Sequence, residues 1–96
     1  MAWSSADLLD DVKLWLRIAS NKLDNELTQT LDACKSDLSN AGVKKLDTND
    51  PLIQQATKLY CKAQFGYDDT ADKFAKAYEY LKSALSLSGD YNVGDG

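Results

Sequence analysis

The side chains in this 96-residue chain with the chemistry for catalysis or metal binding are two cysteines, Cys34 and Cys61, and two acidic clusters. The clusters are Asp47-Thr48-Asn49-Asp50 and Asp68-Asp69 with Asp72. A thiol becomes a nucleophile near neutral pH only beside a base or a cation, and a zinc ion needs four converging ligands. Histidine is absent, which removes the commonest general base, metal ligand and pH switch together. The two cysteines lie far outside CxxC spacing, with no further nitrogen or sulfur ligand to complete a zinc site. The stretch from Asp47 opens like a calcium-binding loop, but Leu52 occupies the position reserved for glycine and no glutamate stands at the twelfth. Asp68-Asp69 with Asp72 fails in the same way, and both clusters read as helix N-caps. No Asp-Ser-Leu opens a helix as in an acyl carrier, and no strand precedes a glycine-rich phosphate cradle. The expectation is a protein that is not an enzyme, with no catalytic residue, no metal and no cofactor.

The elements that would position those residues are all helical, and the fold class expected is an all-α bundle of about four helices. The first runs from about Ser5 to Ile18, with Ser4 or Ser5 as N-cap and Asp7, Asp10 and Asp11 at its positive end. The second begins near Asn21 and carries Leu23, Leu27, Leu31, Cys34 and Leu38 along one side. Its opposite face (Lys22, Asn25, Gln29, Asp32, Ser36, Ser39) is polar throughout, and Gly42 is placed to end it in a left-handed conformation. A connector from Val43 to Asn49 leads to Asp50-Pro51, an N-cap followed by proline at the first helical position. The third helix then turns Leu52, Ile53, Ala56, Leu59, Tyr60 and Ala63 inward and stops at Gly66. After Tyr67-Asp68-Asp69, Asp69 or Thr70 caps a fourth helix with the stripe Phe74, Ala77, Tyr78, Leu81, Ala84 and Leu85. It ends at Gly89, which divides the chain into a helical domain, 1–89, and a polar, flexible C-terminal tail, 90–96.

Some apolar residues fall outside these stripes. Leu14 and Ile18 lie on a second flank of the first helix, fenced off by Asp11 on one side and by Asp10, Lys13 and Arg17 on the other. Cys61 with Phe65, and Tyr80 with Leu87, repeat the pattern on the third and fourth helices, and Trp3 and Tyr91 flank the bundle. In a domain this small such patches either close on one another inside an irregular bundle or meet a second protein surface. Trp3, Leu14, Ile18, Cys61, Phe65, Tyr80, Leu87 and Tyr91 are therefore the candidate subunit or partner interface. Cys34, within the leucine stripe, reads as a core residue, and Cys61 as a partly exposed thiol.

Composition narrows the partners. Hydrophobic residues make up 44% of the chain and charged residues 27%, the balance of a folded domain. Apolar runs are too short for a membrane span, and the start MAWSSADLLDD lacks the basic and apolar blocks of a secretion signal, so no membrane partner is expected. Against 15 Asp and Glu stand 11 Lys and Arg, a net charge of −4, with Arg17 the one arginine. Nucleic-acid binders draw most of their affinity from cations that displace counterions from phosphate. Tight DNA binding is therefore disfavoured, and so is a helix-turn-helix reading of the third and fourth helices, whose second member would open on Asp68, Asp69 and Asp72.

Two stretches, LLDDVKLWLRI near the start and DPLIQQATKLYCKAQFGYDDTADKFAKAYEYLKSALSLSGDY, carry a family resemblance spanning roughly Asp7 to Tyr91. In order and spacing they resemble the small head-tail connector, or head completion adaptor, proteins of long-tailed phages and prophages, also labelled DNA packaging proteins of the QLRG family. The parts are the Leu8 to Ile18 helix, the Asp50-Pro51 start, the Tyr60 to Tyr67 segment ending in Phe-Gly-Tyr, and the Lys73 to Leu85 helix with paired tyrosines. The resemblance implies a structural virion protein, located in the head-tail connector and assembled in the host cytoplasm. It would form a ring of its own copies beneath the portal protein and extend the DNA channel, through which DNA passes without specific binding. It would also give downstream head-tail joining proteins a docking surface. The short ending NVGDG implies a minimal C-terminal arm.

Overall fold

Helix ends set the path of this chain. The computed structural model describes residues 3–65 and 69–92 and contains α1 (Ser5–Leu16), α2 (Asp24–Asn40), α3 (Pro51–Phe65) and α4 (Asp69–Leu87). The expected all-α fold of four helices is what forms, with no strand among the described residues. Gly66, Tyr67 and Asp68 of the expected loop, the tail beyond Asn92, and the side chains of Ser5, Ala6, Asp7 and Asp69 lie outside the described residues.

Leu8 N–H donates to the Ser4 carbonyl at 3.2 Å, which makes Ser4 the N-cap of α1. This helix stops before the expected Ile18. Arg17 is left-handed, at φ 58°, and its N–H bonds the Leu14 carbonyl at 3.2 Å while Ile18 N–H bonds the Lys13 carbonyl at 2.8 Å. That is a Schellman closure with arginine in the place where glycine is usual, a conformation costing an L-residue about 1 kcal/mol. Ile18 therefore does not continue the helix from Leu14 and packs, half-buried, against the cluster that contains Leu8 and Val12. α2 closes in the same way with the expected glycine: Gly42, at φ 106°, donates to Ser39 at 3.1 Å, and Val43 donates to Leu38 at 2.9 Å. Leu38 and Val43 are both buried in one cluster, the apolar contact that accompanies this motif.

α2 starts at Asp24 and not at Asn21. Ser20 Oγ accepts from Lys22 N–H at 3.0 Å, and Asn21 Oδ1 accepts from Lys13 Nζ at 2.7 Å. Lys13 also pairs with Asp24 at 2.9 Å, so one cation ties the end of α1 to the start of α2. α3 begins as the Asp-Pro pair predicts, with Asp50 Oδ1 accepting from Leu52 N–H at 2.9 Å. The start of α4 differs from expectation: Asp69 and Thr70 are already helical, so the cap falls outside the described residues.

The molecule measures 39 × 28 × 19 Å, about two helix diameters thick. α3 packs against α1, α2 and α4 and runs between two core clusters. One joins Leu8 and Val12 of α1 to Leu27, Leu31 and Cys61. The other joins Cys34, Leu38, Val43, Leu46, Ile53, Ala56, Tyr78 and Leu85. With three neighbours α3 buries a wider arc than a single stripe, taking in Thr57 and Cys61 and leaving Leu52 exposed. Thr57 tolerates burial because its hydroxyl bonds the Ile53 carbonyl at 2.8 Å. Ala84, assigned inward from its period, is also exposed.

The chain after α4 stays attached to the bundle as far as Asn92. The Tyr91 carbonyl accepts from Lys44 N–H at 2.6 Å and Lys45 N–H at 3.1 Å, and its hydroxyl donates to Asp50 at 2.8 Å. Asp90 to Asn92, expected in the tail, thus belong to the folded unit.

The two left-handed closures give opposite expectations. A methyl group on Gly42 would meet nothing nearer than Ser86 Cβ at 3.8 Å, so Gly42→Ala isolates the backbone cost and should destabilise by about 1 kcal/mol. Arg17→Gly relieves the same strain and should be neutral or slightly stabilising. Urea unfolding checks both, as a shift in midpoint at unchanged slope.

Candidate interaction surfaces

The structure sorts the interface candidates into three groups. Leu14 (76% exposed), Tyr80 (81%) and Leu87 (82%) stand in solvent. Trp3, Ile18, Phe65 and Tyr91 are half-buried and packed against the core clusters, Trp3 against both. Cys61 is fully buried, so the partly exposed thiol read from its spacing is corrected: it turns into the cluster formed with α1 and α2. On that account it presents no surface to a partner.

Two depressions accompany these residues. One, of about 370 Å³, lies at the end of α1 and is lined by Lys13, Leu14, Arg17, Ile18 and Ala19. It lies where the left-handed Arg17 ends α1, so that Leu14 of the last turn and Ile18 after the turn both line it. The other, of about 280 Å³, runs between α2 and α3 and is lined mainly by polar groups, with Tyr60 and Phe65 on the α3 side. The outward face of α4 carries Tyr80, Ala84 and Leu87 one turn apart, a continuous apolar strip. Periodicity missed Ala84 in it, because alanine fits an inward or an outward stripe equally well.

Polar contacts hold these faces in place. Asp37 on α2 accepts from the Tyr78 hydroxyl at 2.6 Å and from Lys82 at 3.0 Å, both on α4. Lys82 also bonds Glu79 at 2.9 Å and lies 5.2 Å from the centre of the Tyr78 ring, which meets Tyr60 edge-on at 5.0 Å. Partial burial opposes the charge on Asp37, but the bonds from Tyr78 and Lys82 outweigh it and hold its carboxyl below the usual range. Burial, with Cys34 and Asp37 nearby, pushes the Tyr78 phenol strongly upward. The network fixes the rotation of α4 and so decides that Tyr80 and Leu87 point outward. No sequence motif announced it, since Asp37, Tyr78 and Lys82 lie on two helices far apart in the chain.

Both thiols are chemically quiet. Burial, reinforced by the neighbouring Cys61, pushes Cys34 up to about 12, and burial alone pushes Cys61 up to about 12. Both are free and buried.

The described residues thus form a small helical domain with buried thiols and large apolar side chains, Leu14, Tyr80 and Leu87, held in solvent. The comparison with known families is more specific. A family model described as phage connector protein matches residues 8–92, and the chain belongs to that family. No curated protein and no solved structure matches it. The protein is thus a structural phage connector component, and no described helix is long and apolar enough to cross a membrane.

Burial of the thiols has two measurable consequences. Ellman's reagent should titrate neither cysteine in the native protein at mildly alkaline pH and both after unfolding in guanidinium. Because their folded pKa values lie above the unfolded value of about 8.5, the stability they contribute is complete below that pH and is lost as pH rises toward about 12. Urea midpoints should fall from about pH 9 upward, and less steeply in Cys34→Ala/Cys61→Ala, before the phenols titrate.

Proposed function

We propose that this chain works as a head-tail connector whose copies form a ring beneath the portal, extend the DNA channel and offer later joining proteins a surface to dock on. The observation that carries the reading is the outward placement of Leu14 on α1 and of Tyr80 and Leu87 on α4 in a member of the phage connector family. A subunit in a ring needs two different lateral surfaces, because a head-to-tail contact joins unlike patches. α1 and α4 each pack on α3, which leaves each of them a face of its own. The assembly's partners on this reading are the chain itself, the portal protein and a downstream joining protein, with the virion as its destination.

Charge supports passage of DNA without capture. Asp24, Asp37 and Asp50 are committed to contacts within the fold, while Asp10, Glu26, Asp72 and Glu79 face solvent. Carboxylates along a channel would repel the duplex and keep it sliding, whereas a basic lining would grip its phosphates.

Light scattering during size-exclusion chromatography, over a range of concentrations with and without the portal protein of the same phage, tests this reading. A discrete oligomer, alone or on the portal, is expected, together with no retention of duplex DNA on a filter at low salt. Submicromolar duplex binding would remove the channel reading and favour a DNA-binding module.

A further inference from the structure

We infer that the outward strip of α4 seats on the end of α1 of a second copy, with the Tyr80 ring in the depression beside Leu14 and with Lys76 against Asp10. This rests on the connector reading and names the lateral seam within it. The fit is the first support. The depression of about 370 Å³ is lined by the apolar Leu14, Ile18 and Ala19 and by the basic Lys13 and Arg17. Those two surfaces match the two ends of a tyrosine, an apolar ring and a hydroxyl, and an exposed guanidinium over the ring adds a cation–π contact. Among the described residues Tyr80 is the largest of the exposed apolar side chains.

Charge and register are the second support. Asp10 lies one turn before Leu14 on α1, and Lys76 lies one turn before Tyr80 on α4; all four are exposed. Laid parallel, the two helices bring Lys76 to Asp10 and Tyr80 to Leu14 at once, because both pairs share the four-residue spacing of one face. Ala84 and Leu87 then continue past the end of α1 over Ala19. Lys76 is free to exchange partners: its contact with Asp72, at 3.4 Å, is between two largely exposed side chains. An antiparallel pairing about the same Tyr80–Leu14 contact would put Lys76 at the level of Ile18 and Asp10 against Ala84, and this charge pair would be lost.

The seam joins unlike patches, so every copy uses one of each and the assembly is a ring or an open filament, not a closed dimer. One seam of about three helical turns is small by the standard of stable pairs, so isolated pairs should be weak and closed rings favoured by making two seams per copy.

Cross-linking with introduced thiols tests the seam, since the native thiols are buried. Leu14→Cys and Tyr80→Cys are prepared as separate chains, checked for helicity, mixed and oxidised. The expected result is a 14–80 cross-link in the mixture and none with either variant alone, and a ladder of multimers from the chain carrying both. Asp10→Lys or Lys76→Asp alone should raise the concentration for half-assembly by about threefold to tenfold, and the two together should restore it. Links of 14 to 14 or 80 to 80 without the mixed product overturn the proposal. Light scattering on the same samples separates the two claims. An oligomer that forms without the mixed link overturns this seam and leaves the ring standing, and a monomer without links, with and without the portal, overturns both.

Discussion

Covering α3 on three sides is the constraint on which the rest of this structure depends. A chain of 96 residues has too little apolar surface to bury every helix all round, and here α2 and α3 bury the most, four fully buried side chains each. α3 touches all three others, and the two core clusters divide along its length, one held by α1 and the other by α4. What α3 gains, α1 and α4 lose. Each has one packed side and one bare side, and the large apolar residues on the bare sides follow from that division of burial. The thinness of the molecule, 19 Å in its smallest dimension, states the same fact geometrically.

Acidic residues act as the pins of this arrangement. Asp24 holds the turn between α1 and α2 through Lys13, Asp37 joins α2 to α4 through Tyr78 and Lys82, and Asp50 both caps α3 and receives the Tyr91 hydroxyl. Each is half-buried, where an ion pair or a charge-assisted hydrogen bond contributes more than it does in open water. These contacts do for a thin bundle what extra core would do for a thicker one: they fix how each helix is rotated. Rotation matters most for α4, because a turn of one residue, about 100°, would carry Tyr80 off its outward face and Tyr78 out of the core.

How much of this could be read from the sequence depended on whether the deciding interaction was local. The Asp50-Pro51 start, the Gly42 stop and the stripe Leu27, Leu31, Cys34 and Leu38 are all settled within a turn or two of chain, and all stand in the structure as read. Arg17 was not legible, since a left-handed arginine has no signature of its own, and Ile18 after it packs against a cluster drawn from three helices. Cys61 was misplaced because a helix with three neighbours buries more than one stripe, and periodicity assumes one. Tyr91 looked like part of a loose tail because its partners, the Lys44 and Lys45 N–H groups and Asp50, come from the middle of the chain and are invisible to any local pattern. Among the interface candidates, the pattern separated Leu14, Tyr80 and Leu87 from the stripes correctly. It had no means of telling them from Phe65 and Trp3, whose exposure is decided by neighbouring helices.

The same division of burial bears on how free copies would behave. The exposed apolar side chains Leu14, Leu52, Tyr80 and Leu87 invite association, while a net charge of −4 on every copy opposes it at long range. These effects have different reach: the charge acts over roughly a Debye length of about 8 Å at physiological salt, and apolar contact acts only on touching. On the proposed connector reading, charge would keep dilute copies apart and a symmetric template that brings them within contact would let them join. On the connector reading that template is the portal, and the acidity that suits a DNA channel would also keep unassembled copies from joining prematurely. One composition would then serve both needs, and neither requires a base, a metal or a reactive thiol.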